Sequence, residues 1–181
     1  MPVGQGTPAD DSVVIAPYDP SWPDLFNAEK QLLERAIGRW VIGGIHHVGS
    51  TAVPGLPAKP VIDILVGVHD LPGARGCFEP LAELQYKYAP YRVEEMHWFC
   101  KPGPARRTHH LHLVPNGSTR YREELALRDL LRRRSDLAAR YAGLKAQLAG
   151  RFRNDRDGYT RAKASFIEEA LREATQARGR P

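Results

Sequence analysis

The chain reads as an α/β (α+β) protein, a mixed β-sheet flanked by helices with a further helical layer at its C-terminal end. Three observations give that class. Apolar runs rich in β-branched residues, "WVIGGIHHV" (40–48) and "PVIDILVGV" (60–68) above all, fall in the first two thirds. Apolar residues at helical spacing lie before and between the extended runs. From about residue 118 onward the pattern is helical throughout, which places a layer of helices beside a finished sheet. At 181 residues the chain suits one sizeable domain, with the sheet in about 12–115 and the helical layer in about 118–177.

Residues 1–11, rich in Gly, Pro and Asp, are expected to be a disordered tail. "SVVIAPY" (12–18) suits a short strand. Ser21 opens "SWPDLF", a Ser-x-x-Asp start with Pro in the first turn, and Trp22, Leu25, Phe26, Leu32, Leu33 and Ile37 carry a helix to about Gly38. The runs 40–48 and 60–68 are apolar on both faces, as strands in the middle of a sheet are. A helix is expected over 70–86, then extended segments at about 91–94, 96–101 and 108–114, with "KPGPARR" as the turn between the last two. Leu137, Tyr141, Leu144, Leu148 and Phe152 make one helical stripe, and Tyr159, Phe166, Ile167, Ala170 and Leu171 another.

With 42% hydrophobic and 26% charged residues the composition is that of an ordinary soluble protein. No apolar run approaches the roughly 20 residues a membrane helix needs, so no membrane partner is expected. "MPVGQGTPADD" lacks the basic and apolar regions of a signal peptide, and the cytoplasm is the expected location. Cys77 and Cys100 fit neither a disulfide framework nor a zinc ribbon and are expected as buried free thiols. The net charge of +5 is uneven, with 14 Lys/Arg against 7 Asp/Glu from Arg128 to Arg180. Nucleic acid is nevertheless an unfavoured partner, because Tyr141, Phe152, Tyr159 and Phe166 fall on the apolar stripes and leave little for base stacking.

The chemistry concentrates in "HVGSTAVPGLPAKPVIDILVGV" (47–68). It lacks the GxxxxGK[ST] of a P-loop, the GxGxxG of a dinucleotide fold and the GxSxG of a hydrolase elbow. What remains is a strand, a Gly49-Ser50 turn, about a dozen residues and a strand carrying one carboxylate, Asp63. Such a turn offers N–H groups and a hydroxyl to phosphate oxygens, and a carboxylate on the next strand can hold a divalent ion bridging them. Asp63 could instead brace the turn by accepting its hydrogen bonds.

This arrangement resembles the nucleotidyltransferase superfamily, whose signature is a Gly-Ser or Gly-Gly pair followed by Asp-x-Asp on the next strand. With "RTHHLHLV", "LALRDLLR" and "YAGLKAQLA…DGYTRAKASFI" following in order, residues 12–173 look like the GrpB family of that fold. The resemblance implies a nucleotidyltransferase-like mixed sheet and transfer of a nucleotidyl group from an NTP to a small acceptor. A divalent metal, Mg or Mn, would be the cofactor. The chain departs from the pattern at Leu65, where the second carboxylate usually stands. If the "THHLHLV" strand neighbours that of Asp63, His110 and His112 share its face and complete an Asp-His-His set, which would favour a transition metal.

The candidate catalytic residues are therefore Asp63 and Ser50, and the candidate metal ligands are Asp63, His110 and His112. Gly49, Ser50, Lys59, Arg106, Arg107, Lys145 and Lys163 are the candidate nucleotide or phosphate contacts, with surface exposure as the competing role of the charged ones. His46 and His47 read as structural, Glu94 and Glu95 as solvated edge residues, and Arg132–Arg134 as a charged helix end. Two further functions stay open: a nucleotide-binding module without turnover, favoured by Leu65, and a metal-dependent phosphohydrolase using the Asp-His-His set.

Overall fold

The structure, a computed structural model, describes residues 13–178, and side chains as far as residue 173. The expected tail 1–11 lies outside the described residues. Five strands form one sheet: β1 (Val41–Val48), β2 (Ile62–Val68), β3 (Lys87–Tyr88), β4 (His97–Gly103) and β5 (Arg106–Pro115). Their order is β1-β2-β5-β4-β3. β2 and β5 run parallel and the other pairs antiparallel, so the sheet is mixed as expected.

The pleat sorts the two faces. Ile62, Ile64, Val66 and Val68 of β2 join Leu111 and Leu113 of β5 in the main core. That core is covered by α1 (Trp22–Ile37) together with the short helices α2 (Leu71–Ala74) and α3 (Phe78–Glu83). The other face carries Asp63 and Leu65 on β2 and, in register with them, His110 and His112 on β5. The C-terminal helices cover this second face: α4 (Thr119–Arg133), α5 (Ser135–Arg151), α6 (Arg156–Ala162) and α7 (Ala164–Arg178). Leu130, Leu131, Leu137, Tyr141 and Ala170 build a separate core there against Val53 and Leu56 of the loop before β2. Among the described residues no helix is long and apolar enough to cross a membrane.

Four local expectations need correction. Among the described residues of the 12–18 segment, Ala16 makes an isolated bridge to Ala58 and Val13 N–H donates to Arg153 O outside the sheet, so no strand forms there. Ser21 does not cap α1 with its side chain; the Asp19 carboxylate accepts from Ser21 N–H at 2.8 Å and starts the turn instead. The helix over 70–86 is broken into α2, a 3₁₀ turn over Arg75–Cys77, and α3, in a stretch where Pro72, Gly73 and Gly76 lower helix propensity. Residues 91–94 form a turn, with Arg92 at φ 47° and the Glu95 N–H donating to Arg92 O, and the extra strand is β3 at 87–88.

The helical layer also grips the edge strand. Tyr121 OH donates to Gly43 O, Arg128 to His47 O at 3.2 Å, and Arg132 to Ala52 O at 2.8 Å. Gly43 and Gly67 touch beneath Tyr121: a Cβ built on Gly67 would stand 2.6 Å from Gly43 Cα.

Candidate functional site

The turn after β1 is built on a glycine. Gly49 has φ 71° and ψ −171°, a region open essentially to glycine, and a Cβ there would lie 2.5 Å from Asp63 Oδ2. The carboxylate therefore presses directly on the turn that begins a 3₁₀ segment at Ser50. His47, stacked on Phe26 and joined through Nε2 to the Thr51 hydroxyl at 2.9 Å, braces the turn from behind, which is the structural role expected for it. Burial pushes its imidazole down to about 4, so it is neutral at physiological pH.

Asp63 and His110 are register partners on neighbouring parallel strands, and their side chains meet at 2.9 Å between Oδ1 and Nδ1. Burial alone would raise the carboxyl of Asp63. The His110 hydrogen bond and the charges of His110, His112 and Lys59 more than offset that and hold it at about 2. Burial pushes His110 down against the pull of Asp63. His112, one step along, is held through Nδ1 by Glu124 Oε1 at 3.2 Å, and Arg120 reaches the same oxygen at 3.0 Å. Glu124 escapes a strand-based reading because it arrives from α4; the Arg120/Glu124 i,i+4 spacing is the signal that points to it.

The lysines come from far away in sequence. Lys145 of α5 is 2% exposed, although it lies beside an apolar stripe, and its Nζ donates to Ser50 Oγ at 2.9 Å and to Pro57 O. Lys163, between α6 and α7, stands 4.4 Å from the Tyr159 ring centroid, and Lys59 stands 5.1 Å from the same centroid. Burial, then the charges of Lys163 and Lys59, push Lys145 down to about 7. Burial and Lys59 bring Lys163 to about 8, while burial and Arg156 bring Lys59 to about 8. Tyr141 and Tyr159 line the same corner, both raised by burial, Tyr141 to about 12.

The two arginines of the hairpin part company. An extra residue, Thr108, interrupts the β4–β5 register, since Lys101 pairs with His109 but Pro102 with Arg107. The bulge turns Arg107 onto the site face, its guanidinium 5.4 Å from the Trp98 ring centroid, while Arg106 is exposed in the hairpin. Glu95 pairs with Arg92 and Arg120 on the surface. The structure thus gathers Gly49, Ser50, Lys59, Asp63, His110, Lys145 and Lys163, keeps Arg107 at their margin and leaves Arg106 outside.

The donor set can be tested against the divalent metal that the fold resemblance implies. Leu65, in the place of the second carboxylate, is fully buried among Val48, Met96 and Val114. Asp63 Oδ1 is taken by His110, and Glu124 by His112 and Arg120. Nε2 of His110 and of His112 is buried without a partner, but two donors are short of a shell, and among the described residues no group of three or more His, Cys, Asp or Glu could hold a metal. The residues present do not fit a two-metal clamp.

Strand order, a helical layer over one sheet face, and a Gly-Ser turn against a strand carboxylate define a mixed-sheet α/β protein. The family model described as GrpB protein matches residues 12–173. A UPF0157 protein of Pseudomonas aeruginosa is 38% identical over 177 residues, 95% of this chain and 72% of its own length. The glutamate-rich protein GrpB of Alkalihalophilus pseudofirmus is 35% identical over 166 residues, 89% of this chain and 95% of its own. The crystal structure of the conserved protein GrpB from Enterococcus faecalis superposes with a TM-score of 0.82 at 31% identity, covering 92% of this chain and 100% of that one. The chain belongs to the GrpB family.

Proposed function

We propose that the protein binds a nucleotide, or a phosphorylated small molecule like one, at the Gly49-Ser50 turn, where Lys59, Lys145 and Lys163 gather. The observation that carries this reading is the set of lysines. Lys59, Lys145 and Lys163 are buried or half-buried, and among the described residues none makes an ion pair. Three desolvated ammonium groups with one carboxylate, Asp63, acting on Lys59 and Lys163 oppose folding, and a phosphate between them would remove that opposition. Ser50 and the turn supply the hydroxyl and N–H groups that orient the oxygens.

Of the readings the resemblance implies, the geometry favours ligand binding over nucleotidyl transfer. A leaving pyrophosphate and an attacking oxygen would need the paired carboxylates that Leu65 interrupts. Titration calorimetry with ATP, GTP, CTP and UTP tests the proposal, using wild type and Lys59→Met, with every mixture analysed afterwards by chromatography. Saturable binding, weakened about tenfold or more in Lys59→Met, is expected because a charge-assisted contact to phosphate is lost. Absence of binding by all four would refute the reading, and a nucleotidylated or hydrolysed product would restore an enzyme in place of a binding module.

A further inference from the structure

If the Gly49-Ser50 turn holds phosphates, as proposed above, something must balance their charge. We propose that the ammonium groups of Lys59, Lys145 and Lys163 balance it directly, and that no divalent metal takes part in ligand binding.

Both halves of this come from where side chains point. The carboxylate oxygens that a metal would need are already engaged: those of Asp63 with His110 and against Gly49, that of Glu124 with His112 and Arg120. Leu65 closes the remaining position with a side chain locked between Val48, Met96 and Val114, so no small rearrangement brings a second carboxylate in. The imidazole Nε2 atoms of His110 and His112 are sealed from solvent, out of reach of a hydrated ion arriving with a ligand.

The cations, in contrast, converge. Lys145 holds Ser50 Oγ, the hydroxyl of the turn, and so puts a positive charge directly behind the phosphate seat. Lys59 and Lys163 both lie within 5.1 Å of the Tyr159 ring centroid, a π-face that steadies two like charges without neutralising either. Arg107 adds its charge at the margin, felt by Lys59 and His110. Asp63 is the carboxylate that touches the turn, so the cluster around it holds an excess of positive charge. A metal ion brought into it would meet repulsion from the lysines. Polyphosphate would meet attraction without one.

Asp63 separates the two possibilities because they predict opposite signs. As a metal ligand it is essential to binding. Beside a metal-free phosphate it is a like charge, and removing it helps. Asn keeps an oxygen to accept from His110, so Asp63→Asn changes the charge with little change of shape.

The experiment is titration calorimetry with inorganic tripolyphosphate and with ATP, in EDTA and again with Mg²⁺ or Mn²⁺, on wild type, Asp63→Asn and Lys163→Met. Melting temperatures of all three proteins establish that they are folded. Saturable binding in EDTA is expected, several-fold tighter in Asp63→Asn and about tenfold weaker in Lys163→Met. Binding that appears only with metal and vanishes in Asp63→Asn overturns the inference while leaving the turn as the phosphate site. Wild-type affinity in Lys163→Met also overturns it. No binding of either probe under any condition overturns both the inference and the reading it rests on.

Discussion

At Gly49 the backbone sits at φ 71° and ψ −171°, with the Asp63 carboxylate where a Cβ would go. Gly49→Ala must strain the backbone and push Asp63 off His110 together. A loss of about 2–3 kcal/mol is expected, read as a fall of several degrees in melting temperature. An unchanged melting temperature would mean that the turn relaxes at no cost, and that the contact does not position Asp63. The need for glycine here was legible in the sequence as a turn before a carboxylate-bearing strand. The pairing of Asp63 with His110 was legible only conditionally, because alternation fixes which face a residue takes but not which strand lies next to it. Arg106 and Arg107 show the limit from the other side: one inserted residue, Thr108, decides which arginine faces the site, and bulges leave no period in the sequence.

Between elements, the sheet face opposite the site is pinned by charge. Glu29 of α1, its side chain 6% exposed, accepts from Lys101 of β4 at 2.8 and 3.0 Å and from Tyr86 OH at 3.0 Å. Lys101→Met would leave that buried carboxylate with only His109, 4.0 Å away and pushed toward neutral by burial, and cost about 3–5 kcal/mol in urea unfolding. Adding Glu29→Gln should recover part of the loss, and a double variant no more stable than the single would show that the pair does not act as a unit. The seam between β1 and β2 should be equally exacting. Gly67→Ala drives a methyl onto Gly43 and Tyr121 and should cost about 1–3 kcal/mol by the same measurement. Helix α1 and strands β1, β2, β4 and β5 were evident from period and composition. The break after α2 was not, since Pro72 is tolerated in a first turn and isolated glycines only lower propensity. Glu29 carried no signal either, as an acidic residue in an amphipathic helix ordinarily faces water.

Across the whole molecule, the site joins residues from both ends of the chain, which is why composition showed a basic C-terminal third without showing its purpose. Lys145 and Lys163 lie at helical spacings that suit exposure as well as burial; the packing of α5–α7 over the sheet decides it. That packing has a pH signature. Lys145 is held at about 7 and Lys59 and Lys163 at about 8, all below the ordinary 10.5. An unfolded chain binds these protons more readily, so the burden on folding is full below about pH 7 and shrinks as pH rises toward 10.5. Phosphate binding runs the other way, being strongest with the lysines charged. Raising the pH from 7 to 9 should therefore stabilise the free protein through these groups while weakening its affinity for tripolyphosphate. Melting curves with and without that ligand test both slopes at once.

The grip of α4 on β1 gives the C-terminal helices a second duty. Tyr121, Arg128 and Arg132 occupy carbonyls along the outermost strand and the turn beyond it. A nascent chain that has made its sheet but not yet its final helices holds an open strand border, a ready template for another copy. By holding these acceptors, α4 leaves that border less open to a neighbouring copy than a bare edge would be.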